Sequence, residues 1–144
     1  MTTQPAPHAS ADATERSQLT ALARGLRDLH KHLIHVETQY FGPVGSPLEL
    51  LQLVTNHPHF AWLQKLSALM AQMDERLDDQ DQTLAPGEAA TFRRAFESLI
   101  GPSEQGDLEF RARYNALLHD APEIVMAHGA VRKLLGAIAT APGA

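Results

Sequence analysis

Leu19, Leu22, Leu26, Leu29, Leu33, Val36 and Tyr40 recur at steps of three and four. Residues at that spacing share one face of an α-helix, so the run predicts an unbroken helix from Asp12 or Thr14 to Tyr40, packed at a shallow angle on its neighbours. Gly25 lies inside it, and a close helix approach would account for a glycine there. Gly42-Pro43-Val44-Gly45 ends the run with turn chemistry. Ser46-Pro47-Leu48-Glu49 then has the form of a capping box, with proline in the first turn and Glu49 reaching back to the Ser46 N–H. Pro58 stops that short helix near Thr55, because a residue before proline is pushed out of the helical region. Phe60, Leu63, Leu66, Leu69, Met70, Met73 and Leu77 predict one long helix from Pro58, with Trp62 on the flank of the stripe.

The acidic stretch from Asp74 to Asp81, running into Thr83-Leu84-Ala85-Pro86-Gly87, reads as a solvated main loop between two halves. A helix from Pro86 to Ile100 follows, with Phe92, Ala95, Phe96, Leu99 and Ile100 inward, closed by Gly101-Pro102. Ser103–Asp107 reads as a connector. Asp107 caps a helix with Phe110, Tyr114, Leu117 and Leu118 inward, and Asp120-Ala121-Pro122-Glu123 has the form of a second capping box. Ile124, His128, Val131, Leu135 and Ile138 form the stripe of the last helix. No stretch alternates as a strand and no period repeats. The expected fold is all-α: an irregular bundle of five or six helices over residues 14–140, with a disordered tail at 1–13 and a loose end at 141–144.

Composition narrows the function classes. A chain of 144 residues with 44% hydrophobic and 20% charged content is of globular type and forms one domain, burying roughly two-thirds of its unfolded surface. A formal net charge of −5 argues against a nucleic-acid partner held through its phosphates. No apolar run approaches a bilayer's thickness, and the first residues have neither a basic start nor an apolar core of a signal peptide. The absence of cysteine removes disulfides and thiolate chemistry, and fits a reducing cytoplasm.

Eight histidines raise the question of a metal. The ferritin-like pattern fails, since no glutamate is followed by histidine three residues on. His119 and Glu123 have hemerythrin-like spacing, but the break at Asp120–Pro122 separates their faces. An EF-hand spacing and the His-Glu-x-x-His pattern are also missing. His32 and His35 are one turn apart and could chelate a metal adventitiously. The candidate metal ligands are His30, Glu37 and His128, expected to converge between the first and last helices; Glu37 is too far along the axis from His30 for the two to share an ion directly. His57 and His59 are expected to be exposed. No organic cofactor is implied, and a metal ion is the one cofactor considered. There is no nucleophile elbow and no glycine-rich phosphate loop, and Pro43 and Pro47 remove the donors that an anion at the second helix start would need.

His30-Lys31, Leu33, Glu37, Tyr40, the Gly42–Pro47 turn, Leu50-Leu51-Gln52-Leu53, Pro58, Phe60-Ala61-Trp62-Leu63 and Leu66-Ser67 together resemble a family of short uncharacterised bacterial helical proteins, over roughly residues 30–75. The resemblance implies a helical, bacterial, cytosolic protein and no activity. The functional expectation is a non-enzymatic interaction or regulatory module that binds a protein partner or its own copy, with Phe60, Trp62, Met70 and Met73 as the candidate surface. The alternative is a metal- or small-ligand-binding bundle.

Overall fold

The computed structural model describes residues 7–102 and 105–139. The fold is all-α. Six helices run α1 (Pro7–Phe41), α2 (Pro47–Asn56), α3 (Gln64–Asp78), α4 (Glu88–Ile100), α5 (Leu108–Asp120) and α6 (Pro122–Ala137), with a 3-10 helix at Pro58–Leu63 between α2 and α3. No strand occurs among the described residues, and none of their helices is long and apolar enough to cross a membrane.

α1 is the axis of the bundle. Its 35 residues extend about 52 Å at 1.5 Å per residue, and α6 and then α3 make its largest contacts. Leu19, Leu22, Leu26, Leu29 and Leu33 are all fully buried, as their spacing predicts. Gly25 meets α6: a Cβ placed there would come within 2.6 Å of Leu134 Cδ1, so the two helices approach closely at the glycine, as its place in α1 suggests.

Several boundaries differ from the sequence expectation. α1 starts at Pro7, so residues 7–13 of the expected tail are helical. Proline suits a first helical turn, where its missing N–H has no intrahelical partner. Residues 1–6 and 141–144 lie outside the described residues. Asp12 is no cap; its carboxylate accepts from the Leu84 N–H, while Glu15 accepts from the Gly87 N–H at 3.1 Å. Arg16 donates to the carbonyls of Leu77 and Gln82. Asp74–Asp78 of the acidic stretch belong to α3, and the loop that follows is tied to α1 at both ends while residues 80–83 stay exposed as expected.

The capping boxes also rearrange. Ser46 caps α2 by accepting from the Glu49 N–H at 3.1 Å, but Glu49 reaches one residue further back and accepts from Gly45 N–H at 2.8 Å. Asp107 caps α5 as expected, accepting from the Phe110 N–H at 3.0 Å. Asp120 caps nothing. α6 has Ala121 at its cap position without a side-chain bond, and Asp120 instead accepts from the Tyr40 hydroxyl at 3.1 Å. Tyr40 accordingly stands 58% exposed at the end of its stripe.

The long helix expected from Pro58 is divided. Its first six residues wind as a 3-10 helix, and the α-helix begins at Gln64. The tighter winding turns successive side chains by about 120° instead of 100°. Phe60 and Leu63 then share one face, and Trp62, about 120° from it, is buried by its contacts with Glu37 of α1 and Phe110 of α5.

Candidate functional site

The sequence candidates fall in separate places. Phe60, Trp62 and Met73 are core residues, with Trp62 8% exposed and the other two fully buried; only Met70 of the four reaches the surface, half-buried. They do not form a surface of this chain, because Trp62 packs on Glu37 and Phe110, and Phe60 on Phe41 and His59. His57 and His59 are half-buried as well, packed edge-on against Phe41 and Phe60 respectively.

The metal candidates do not converge. Glu37 is 5% exposed and accepts from the Trp62 indole N–H at 2.8 Å. The His59 Nε2 lies 3.7 Å from the same carboxylate and 2.9 Å from the Glu37 carbonyl oxygen. From Trp62 a row of rings crosses the core: Trp62 to Phe110 at 5.0 Å, Phe110 to Tyr114 at 6.0 Å, and Tyr114 to His128 at 5.6 Å. Glu37 and His128 thus stand at opposite ends of three aromatic side chains. The Tyr114 hydroxyl is 2.7 Å from His128 Nδ1. Burial raises the tyrosine above its ordinary pKa. Burial, then the charge of Arg132, lowers that of His128. Both shifts fit a phenol donating to a neutral imidazole. His30 is elsewhere, with a buried Nε2 that has no hydrogen-bond partner, and burial lowers its pKa. Among the described residues no group of three or more metal-ligating side chains is arranged to hold an ion.

His32 and His35, the pair one turn apart on α1, meet a carboxylate. Both reach across to α6, where His32 Nδ1 lies 3.1 Å from one oxygen of Glu123 and His35 Nδ1 lies 3.4 Å from the other. Partial burial pushes the Glu123 carboxyl up, but the hydrogen bonds from the two histidines overcome it and hold the group below its ordinary range.

Two further features emerge from the tertiary structure. The first is a groove of about 740 Å³ along α1, bounded by Leu50 of α2, Met70 of α3 and Glu123 of α6. Ile34 lies among its apolar side chains, and Arg27, Lys31 and three histidines stand around them. The second is α2 itself. It contributes no buried residue, it packs chiefly on the 3-10 turn, and it holds Leu48 and Leu51 out at 64% and 61% exposure. The signal for α2 was present in the sequence: Leu48, Leu50, Leu51, Leu53 and Val54 are more apolar positions than one face of a ten-residue helix can bury.

Comparison with known proteins returns no matching family model, no matching curated protein and no matching solved structure.

Proposed function

We propose that the chain is a non-enzymatic helical interaction module, cytoplasmic and bacterial, that pairs with a second copy of itself through the outer face of α2. The observation that carries this reading is the exposure of Leu48 and Leu51 on a helix with no buried residue of its own. A helix that packs so little in its own bundle gains most from packing elsewhere, and burying two leucines in each of two copies removes a substantial apolar area from water. Self-pairing suits such a patch, because a two-fold axis brings one surface onto its own copy. The lack of cysteine supports a reducing compartment.

The test is the mass of the chain in solution, measured by sedimentation equilibrium on the parent and on the Leu48→Lys/Leu51→Lys variant. The expected result is a dimer that becomes a monomer with an unchanged helical circular dichroism spectrum. A monomeric parent, or a variant that stays dimeric, overturns the reading.

A further inference from the structure

The groove along α1 differs in chemistry from the outer face of α2. Three elements supply apolar side chains to it: Ile34 from α1, Leu50 from α2 and Met70 from α3. Its volume, about 740 Å³, lies within the range that small-molecule sites occupy. Beside that apolar surface stand Arg27 and Lys31, one helical turn apart on α1. Two cations at that spacing repel one another. Arg27 has a partial remedy in Asp74 of α3, with 3.7 Å between the guanidinium and a carboxylate oxygen and both groups well exposed, a geometry worth little in water. Lys31 is exposed and has no ion-pair partner among the described residues.

Glu123, the acid in the groove lining, keeps its charge but forms no ion pair with Arg27 or Lys31. Both oxygens of Glu123 are engaged by His32 and His35. The Thr38 hydroxyl is likewise engaged, donating to the Ile34 carbonyl of its own helix at 2.6 Å. In a chain of net charge −5, the groove lining sets two cations, Arg27 and Lys31, against the one carboxylate of Glu123 beside an apolar wall, while Asp74 and Asp28 stand next to Arg27 and His32.

We infer that the groove binds a small amphipathic carboxylate, its apolar body against Ile34, Leu50 and Met70 and its carboxylate between Lys31 and Arg27. The charge arrangement selects the class. An anion relieves the repulsion between the two cations and gives Lys31 a partner, a neutral ligand does neither, and a cation adds to the repulsion. Leu50 stands about 200° around α2 from Leu48 and 100° from Leu51, so the site and the proposed pairing face lie on different sides of that helix. Each can fail without the other.

The test is isothermal titration calorimetry of the full chain with decanoate, and with decylammonium as the charge-inverted probe, both below their micelle concentrations. Decanoate is expected to saturate a single site, and decylammonium to bind at least about tenfold more weakly. Lys31→Glu, at an exposed position without an ion-pair partner, should weaken decanoate by about tenfold or more, the effect of inverting a charge a few ångströms from the ligand. Leu50→Ser should also weaken it, while Leu48→Lys/Leu51→Lys should not. Failure of decanoate to saturate overturns the inference. Equal binding of the two probes, or equal binding by the parent and Lys31→Glu, reduces the groove to an unspecific apolar surface and overturns it as well.

Discussion

Trp62 and Glu37 meet in the core, where the indole N–H donates to the carboxylate at 2.8 Å and both side chains are nearly sealed from water. The contact joins the 3-10 turn to α1. A carboxylate in that position is retained only with donors in place, because an ion stripped of water without partners costs several kcal/mol. His59 Nε2, 3.7 Å from the same oxygen, is hydrogen-bonded to the Glu37 carbonyl at 2.9 Å instead.

Trp62→Phe should therefore destabilise the fold by about 2–4 kcal/mol, adding the loss of a buried charged hydrogen bond to a smaller loss of apolar contact. Trp62→Ala should cost more and reduce helical content. Urea titration followed by circular dichroism gives the difference. A Trp62→Phe midpoint equal to the parent's would remove the carboxylate contact from the list of stabilising interactions.

Gly106 has φ +108°, and a Cβ there would run into the carbonyl of Ser98. That carbonyl accepts the Asp107 N–H at 3.0 Å, which sets the residue that caps α5. Gly106→Ala combines a disfavoured backbone conformation with a collision against main chain that cannot turn aside, for an expected loss of about 2–4 kcal/mol. Gly25→Ala is the contrast. Its obstacle is the end of the Leu134 side chain, which can rotate, and alanine is the better helix former by up to about 1 kcal/mol. The stability of Gly25→Ala should stay within about 1 kcal/mol of the parent. The two variants in one urea series decide whether main-chain or side-chain neighbours set the cost.

His30 keeps a buried Nε2 without a partner, so His30→Leu should raise stability by about 1 kcal/mol at neutral pH. The gap should widen in mild acid. Burial lowers the folded pKa of His30, so the unfolded chain binds the proton first. The stability linked to the neutral form is complete above the unfolded value, about 6.5, and is lost as pH falls through the lower folded value. Thermal midpoints measured for both proteins from pH 8 to pH 5 carry the comparison, and parallel curves would show that His30 titrates no differently once folded.

Glu123 has the opposite sensitivity to its neighbours and the same direction with pH. Its carboxyl is held below the ordinary glutamate range by His32 and His35 against the upward push of burial. The folded state therefore keeps the carboxylate to lower pH than the unfolded chain does. That contribution is complete above the ordinary value of roughly 4.3 and is lost as pH falls through the folded one. Glu123→Gln should melt below the parent at pH 7 and lose that difference in strong acid. A gap of equal size at both ends of the pH range would mean that packing, and not charge, is what the glutamine disturbs.

The all-α class, the number of helices and most of the core were legible in the sequence because they rest on local rules. The leucine steps of α1, the prolines that open α2 and α6, Gly101-Pro102 and the Asp107 cap act within a few residues, and each appears where the pattern places it. The polar partners were not legible. Glu37 with Trp62, Asp120 with Tyr40, Asp12 with Leu84, and Glu123 with His32 and His35 are joined across 25 to 91 positions, and no periodicity encodes such a pairing. The same limit misplaced the candidate sites. His30, Glu37 and His128 shared the first and last helices, but the helix rotations that separate them are set by which faces pack.

What the sequence by itself determined is the set of helices and their apolar faces, since hydrophobic period, capping and proline chemistry are properties of neighbouring residues. What only the tertiary structure decided is which side chains were left over. Glu37 of α1 and Phe110 of α5 closed over Trp62, and α2 packed so lightly that Leu48 and Leu51 stayed outside. Burial is a competition among all the helices for a limited interior, and its outcome depends on how whole faces fit together.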